Sequence, residues 1–340
     1  MTAERSLIVA AKEFSDLFTS RRFLLIFALY LIIAIIGMAQ GIERYDDALA
    51  SYNKAMQAAD EYRDLQELGA WWLEMPGKPT ILYVFSSMTG TTMTLGALLA
   101  IAAGFDLVTR EKETRSLKTL LAHPVYRDEV IVGKALGGAA ALGVVVGLAL
   151  ALITAVLLVL SIVPTAGEVV AIGVIGFASL LYLLAFFALA LALSVVTKES
   201  GHAVIYGLAL FFAIAFLLPT FGTVLGDAVA GDPPQRPEMP VTVDGRPVDE
   251  AVWMAYEEEC RQHTREMEEY RGRRQVVTDT VNLFSPITSY YAVVWPVADP
   301  SGMPPEDAAG QIWRGVAALV VFSSVFFAVA YGKFMRMDIR

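Results

Sequence analysis

Cys260, His263 and Met267 follow one another at spacings of three and four, so a helix would carry a thiol, an imidazole and a thioether on one face. These are soft or borderline ligands, and the chemistry they suit together is copper binding. Trp253, Tyr256 and Tyr270 fall on the same face, however, and the set reads more simply as an apolar stripe that packs on another helix or a second subunit. Cys260 is the chain's one cysteine, which excludes an intramolecular disulfide and any multi-cysteine metal site. No Gly-x-x-x-x-Gly-Lys-Ser/Thr loop is present to cradle nucleotide phosphates, and no paired acids or Ser/His arrangement falls inside an apolar run. We expect no catalytic residue, no bound metal and no cofactor in this chain.

A second polar group is denser. Asp106–Lys134 is a run of charge set between two apolar segments, Ile81–Phe105 and Ala135–Val163. In hydrocarbon each Arg, Lys or Asp costs about 2.5–3.5 kcal/mol. The chain must therefore leave the membrane at Asp106 and re-enter near Lys134. Within the loop, Leu117, Leu120 and Leu121 recur at helical spacing before a His123-Pro124 stop. An amphipathic helix held against a membrane by two spans suits docking to another polypeptide.

The elements that position these groups follow from hydropathy. The chain has 340 residues, 56% of them hydrophobic, too apolar for a soluble protein of this size. Six segments are long enough to cross a bilayer: 23–40, 81–105, 135–163, 169–196, 203–225 and 312–331. Closed-barrel alternation is absent, so the spans are helices and the fold class is an all-α polytopic membrane protein. Pro164 and Glu168 mark a tight reversal between the third and fourth spans, and Pro219 should kink the fifth. Gly143 and Gly147 have the small-xxx-small spacing that lets helices approach closely, within the bundle or at a subunit seam. Ionisable groups are scarce inside the spans, which disfavours a proton- or ion-coupled carrier.

With both termini cytoplasmic, the inner segments 1–22, 106–134, 197–202 and 332–340 hold 14 basic and 10 acidic residues. The outer parts hold the remaining 12 basic and 25 acidic, so the net charge of −9 conceals a basic inside, as positive-inside orientation requires. Leu7, Ile8, Ala11, Phe14 and Phe18 make 1–22 an amphipathic helix lying in the inner interface, anchored by Arg21 and Arg22. Two outer segments, 41–80 and 226–311, are extended and helical. The first carries a Tyr45, Leu49, Tyr52, Met56, Ala59 stripe on a helix over 43–68, then Trp71-Trp72 as an interface anchor. The second has a proline-rich opening at 233–240, a charged helix over 249–275, and an aromatic and proline-rich end, 285–305, that should run along the outer membrane face.

The loop also has a recognisable form. Glu111-Lys112-Glu113, then Arg115-Ser116-Leu117, Leu120-Leu121, Pro124-Val125-Tyr126-Arg127 and Gly133-Lys134 resemble the first cytoplasmic loop of ABC-2-type transporter permeases. That family shows an acidic-basic-acidic triplet, Gly-Thr-Leu, a leucine pair, Pro-Val-x-Arg and Gly-Lys at re-entry. The nearest look is to the membrane subunit of the nitrous-oxide-reductase maturation transporter and its relatives. The departures are Arg115 and Ser116, where the family has glycine and threonine.

The resemblance implies a permease of the cell membrane that pairs with a second permease copy and with cytosolic ABC ATPase subunits, which would bind the ATP and magnesium. Glu111, Glu113, Arg115, Arg127 and Lys134 would then make polar contacts with an ATPase groove. Leu117, Leu120 and Leu121 would make apolar ones, and Lys198 and Glu199 a second, weaker contact. Membrane lipid is the remaining partner, and nucleic acid is not expected. The residues leave two alternatives open: a self-sufficient channel or carrier, and a membrane-anchored protein that binds or assembles partners.

Overall fold

The computed structural model describes residues 3–61, 79–115, 126–239, 250–298 and 305–337, and shows only helices and connecting turns among them. Six helices are long and apolar enough to cross a membrane: Arg21–Gln57, Met88–Glu113, Arg127–Val159, Ala166–Val196, Ser200–Ala230 and Gly310–Met335. Each matches one expected span. The chain divides into two compact units, one formed by 1–211 with 286–340 and the other by 212–285.

In the larger unit, α1 (Ala3–Thr19) leads into α2 (Arg21–Glu61). At 41 residues α2 is about 60 Å long. The first span and the first outer helix are thus one rod rather than two helices, because no proline interrupts the run between them. The rest of that outer segment, with Trp71-Trp72, lies outside the described residues.

The second span is α3 (Leu82–Thr91), a π-turn (Thr92–Gly96) and α4 (Ala97–Gly104). A short helix follows, α5 (Thr109–Glu113). The leucine-bearing stretch 116–125 lies outside the described residues.

The third span, α6 (Arg127–Val159), begins eight residues ahead of the expected Ala135. Its start is fixed by Glu129, whose carboxylate accepts from the Tyr126 N–H at 3.2 Å, with Asp128 adding negative charge to the first turn. After α6 the chain reverses through Ser161 at φ 62° and enters α7 (Ala166–Val196). Thr165 and Glu168 cap α7 reciprocally, and Glu168 Oε1 also accepts from the Thr80 hydroxyl at 2.9 Å. That one carboxylate ties the start of the fourth span to the start of the second.

The core of this unit surrounds α7, where Tyr182, Ala185, Phe186, Leu189 and Ala190 are buried. The stretch after Ser285, expected as an aromatic and proline-rich run, is helical and packs one face into this unit. It forms α11 (Pro286–Ala298), whose Pro286, Ser289, Tyr290, Val293 and Val294 are buried. Pro286 sits at the helix start, where its missing N–H costs nothing. The Tyr290 ring stacks on Tyr182 at 4.8 Å, and its hydroxyl pairs with Ser179 Oγ at 2.8 Å. The Tyr182 hydroxyl donates to the Met93 carbonyl at 2.6 Å, inside the π-turn, where the wider register disturbs the helical bonding. The last span is α12 (Pro305–Met335).

The fifth span starts as α8 (Ser200–Phe212) and continues through a π-turn (Ala213–Leu217) into α9 (Leu218–Ala230). Pro219 has no N–H to give the preceding turn, and a π-turn stands there in place of regular α-helical bonding.

In the smaller unit, α9 packs antiparallel on α10 (Glu250–Asn282), which runs past the expected end at 275. A Cβ built at Gly226 would fall 2.6 Å from Thr278 Oγ1, so only glycine permits this crossing. Thr278 donates to the Gly222 carbonyl at 3.2 Å, and Arg274 pairs with Asp227.

Candidate functional site

One end of the larger unit gathers most of the residues singled out above. Lys134, in the second turn of α6, is 1% exposed. Its ammonium lies 2.8 Å from Glu13 Oε1 on α1 and 2.7 Å from Glu111 Oε1 on α5. A buried cation is tolerable only when paired and hydrogen-bonded, and two carboxylates from two other elements do this. Lys12 joins from the edge, 3.3 Å from Glu13 and 3.5 Å from Asp16. Partial burial works against its ammonium, but Glu13, Glu111 and Asp16 together outweigh that and hold its pKa above the ordinary lysine value.

Glycine lets α1 come near enough for this pairing. A Cβ at Gly133 would fall 2.6 Å from Val9 Cβ, and one at Gly137 would fall 2.6 Å from the Ala10 carbonyl oxygen. The α1 face turned to α6 is Ser6, Ala10, Glu13 and Leu17, small or polar. Its apolar residues Leu7 and Ile8 are left 61% and 67% exposed.

Val108 and three residues of α5 then hold two further helix ends. Ser194 Oγ of α7 accepts from the backbone N–H groups of Val108 and Thr109 at 3.0 and 3.1 Å. Lys112 donates to the carbonyls of Ser194, Val195 and Thr197, the orphan acceptors at the end of α7. Glu113 accepts from the N–H and hydroxyl of Ser200, at the start of α8. Arg127 donates to the carbonyls of Met335 and Met337, at the end of α12, at 3.3 and 2.8 Å. The loop at 106–115, the turn at 197–199 and the ends of four long helices are therefore one bonded assembly.

The structure divides the expected contact residues. Lys134 faces inward, and its burial leaves no surface to offer a partner, which corrects the expectation for that residue. Glu111 is its counter-ion, while Glu113 and Arg127 bond within the chain. Arg115, Lys198 and Glu199 are exposed, and of these Glu199 pairs with His202 at 3.3 Å. Leu117, Leu120 and Leu121 lie outside the described residues. Sequence reasoning did not find Glu13, Lys112, Ser194 or Ser200, because their partners are remote in sequence. Arg115 sits at φ 57°, the left-handed region that favours glycine.

Of the two places expected for the close approach at Gly143 and Gly147, the bundle does not supply it among the described residues, since a Cβ at either has no atom within 4 Å. The close approaches on α6 are at Gly133, Gly137 and Gly138 instead. On α10, Cys260, His263 and Met267 do share one half-buried face, and His263 Nδ1 is buried without a partner. No group of three or more His, Cys, Asp or Glu able to hold a metal occurs among the described residues.

The chain matches the family of ABC-2 family transporter proteins over residues 7–339. It is similar to a probable ABC transporter permease protein, NosY of Pseudomonas aeruginosa, with 33% identity over 141 residues. That match takes in 39% of this chain and 48% of NosY, so the chain spans about half the length of this curated relative. A family match across nearly the whole of an all-helical, six-span chain places the protein in the ABC-2 transporter family.

Proposed function

We propose that the protein is the membrane-spanning permease subunit of an ATP-driven exporter, with no catalytic site of its own. Its six spans, paired with those of a second permease copy, form the path. ATP and magnesium are bound by separate cytosolic ATPase subunits that dock on the end bearing α5. On this reading the chain lies in the cell membrane with both termini and the loops 106–126 and 197–199 in the cytoplasm.

The observation that carries the reading is the bonding of α5 to α1, α6, α7 and α8 through Glu111, Lys112, Glu113 and Lys134. A push on a loop that dangled freely would be absorbed by the loop. A push on this one is delivered to four helices at once. Exposed Arg115 and Lys198 project from the two connected loops and supply the docking charge.

The test is charge reversal at Arg115 and Lys198, which touch no other part of the fold through an ion pair among the described residues. The double variant should insert and melt like wild type, yet fail to co-purify with the cognate ATPase or to stimulate its hydrolysis. An undiminished complex would remove the docking assignment.

A further inference from the structure

Arg22 and Arg110 line a cleft of about 220 Å³ bounded by α1, the start of α2 and the 105–114 stretch. The other cations of the cleft are already matched: Lys134 by Glu13 and Glu111, and Lys12 by Glu13 and Asp16. Arg22 and Arg110 have no carboxylate within ion-pair distance among the described residues, although both lie within electrostatic reach of Asp106. Counted over its whole lining the cleft is neutral, its four cations facing the carboxylates of Glu13, Asp16, Asp106 and Glu111, but the ammonium side holds three of those carboxylates and the guanidinium side one. The planar forks of Arg22 and Arg110 suit the oxygens of a phosphate ester, and the excess on their side of the cleft is the single charge that a phosphodiester carries.

The depth of the cleft argues for the source of that phosphate. Arg22 immediately precedes the apolar run that opens at Phe23, and Asp106 immediately follows the one that closes at Phe105. The boundary between hydrocarbon and water therefore passes through the cleft. Leu17, Ala102 and Phe105 line it beside the charges, so an acyl chain leaving the site would meet apolar surface. The exposed Leu7 and Ile8 of α1 put lipid alongside.

We propose that this cleft seats the phosphodiester headgroup of an anionic membrane phospholipid, with Arg22 and Arg110 on the phosphate oxygens. The lipid then wedges between the interfacial helix and the loop of α5, and fills a gap that protein atoms leave open. The inference stands on the cleft alone and does not require that an ATPase dock nearby.

The test uses the full chain, purified in detergent and delipidated, then titrated with phosphatidylglycerol, phosphatidylethanolamine or inorganic phosphate and read by native mass spectrometry. One phosphatidylglycerol per chain should bind most tightly. Arg22→Gln with Arg110→Gln should weaken it about 30-fold, while Arg21→Gln, just outside the cleft, should leave it unchanged. Wild-type affinity in the double variant would overturn the proposal. Equal binding of phosphatidylethanolamine would show a crevice blind to lipid charge, and equal binding of inorganic phosphate an anion site with no use for the lipid; either result also overturns it. Should the double variant not be isolable, the wild-type protein decides: its phosphatidylglycerol affinity must fall as salt rises, and salt-independent binding refutes the assignment.

Discussion

Lys134 is stable in its place only while Glu13 and Glu111 stay beside it. Replacing it with methionine keeps the volume but leaves two carboxylates facing each other in a poorly hydrated site. Removing one partner of a buried pair costs about 3–5 kcal/mol, and Lys134→Met should lower the melting temperature in detergent accordingly. Adding Glu13→Gln and Glu111→Gln to that variant removes the stranded charge and should recover most of the loss. A triple variant as unstable as the single one would show that packing, and not charge, governs the site. Arg115 poses a different problem. Its left-handed backbone costs a side-chain-bearing residue about 1–2 kcal/mol, which glycine does not incur. Arg115→Gly should therefore raise stability by up to about 1 kcal/mol, and Arg115→Val should lower it. On the docking role proposed above, the guanidinium of Arg115 meets the ATPase, so the glycine variant should gain stability and lose ATPase affinity together.

Helix contacts separate glycines that look alike in sequence. Gly137 admits the backbone of α1, and overfilling such a contact costs about 1–3 kcal/mol. Gly137→Leu should destabilise the chain by that amount and open α1 to limited proteolysis. Gly143→Leu and Gly147→Leu, which meet open space, should shift the melting of the isolated monomer by no more than about 0.5 kcal/mol. Equal effects at all three positions would contradict the packing described. This contrast also shows what could be read in advance. Six spans were legible because a bilayer imposes a length and an apolar composition on each helix separately. The charged loop was legible because its density excludes hydrocarbon. The Gly133–Gly137 contact was not, since glycine spacing marks a possible approach but not which partner arrives. Nor was α11: the mixture of aromatics and prolines read as a surface run, yet Pro286 lies where a helix can begin, and its buried stripe of Pro286, Ser289, Tyr290 and Val293 is spaced for a helix. Pairings such as Lys134 with Glu13 join residues 121 positions apart, and no local pattern encodes them.

For the molecule as a whole, the charge asymmetry and the even number of spans make a joint claim. Six crossings put both termini on one side, and on the orientation proposed above the basic excess of segments 1–22, 106–134, 197–202 and 332–340 makes that side the cytoplasmic one. On that proposal the outer segments would carry the acidic surplus, and with it Cys260, the only thiol in the sequence. Cys260 is half-buried, so labelling there reports side and accessibility together. A membrane-impermeant maleimide applied to intact cells should modify Cys260 slowly. In a Cys260→Ser background, Gln262→Cys, on an exposed position two residues along α10, should react fast without permeabilisation. In that same background Lys198→Cys should stay unlabelled until the membrane is opened. If Lys198→Cys reacted from outside while Gln262→Cys did not, the bonded loop assembly would face away from any cytosolic ATPase, and the exporter reading would fail on topology alone.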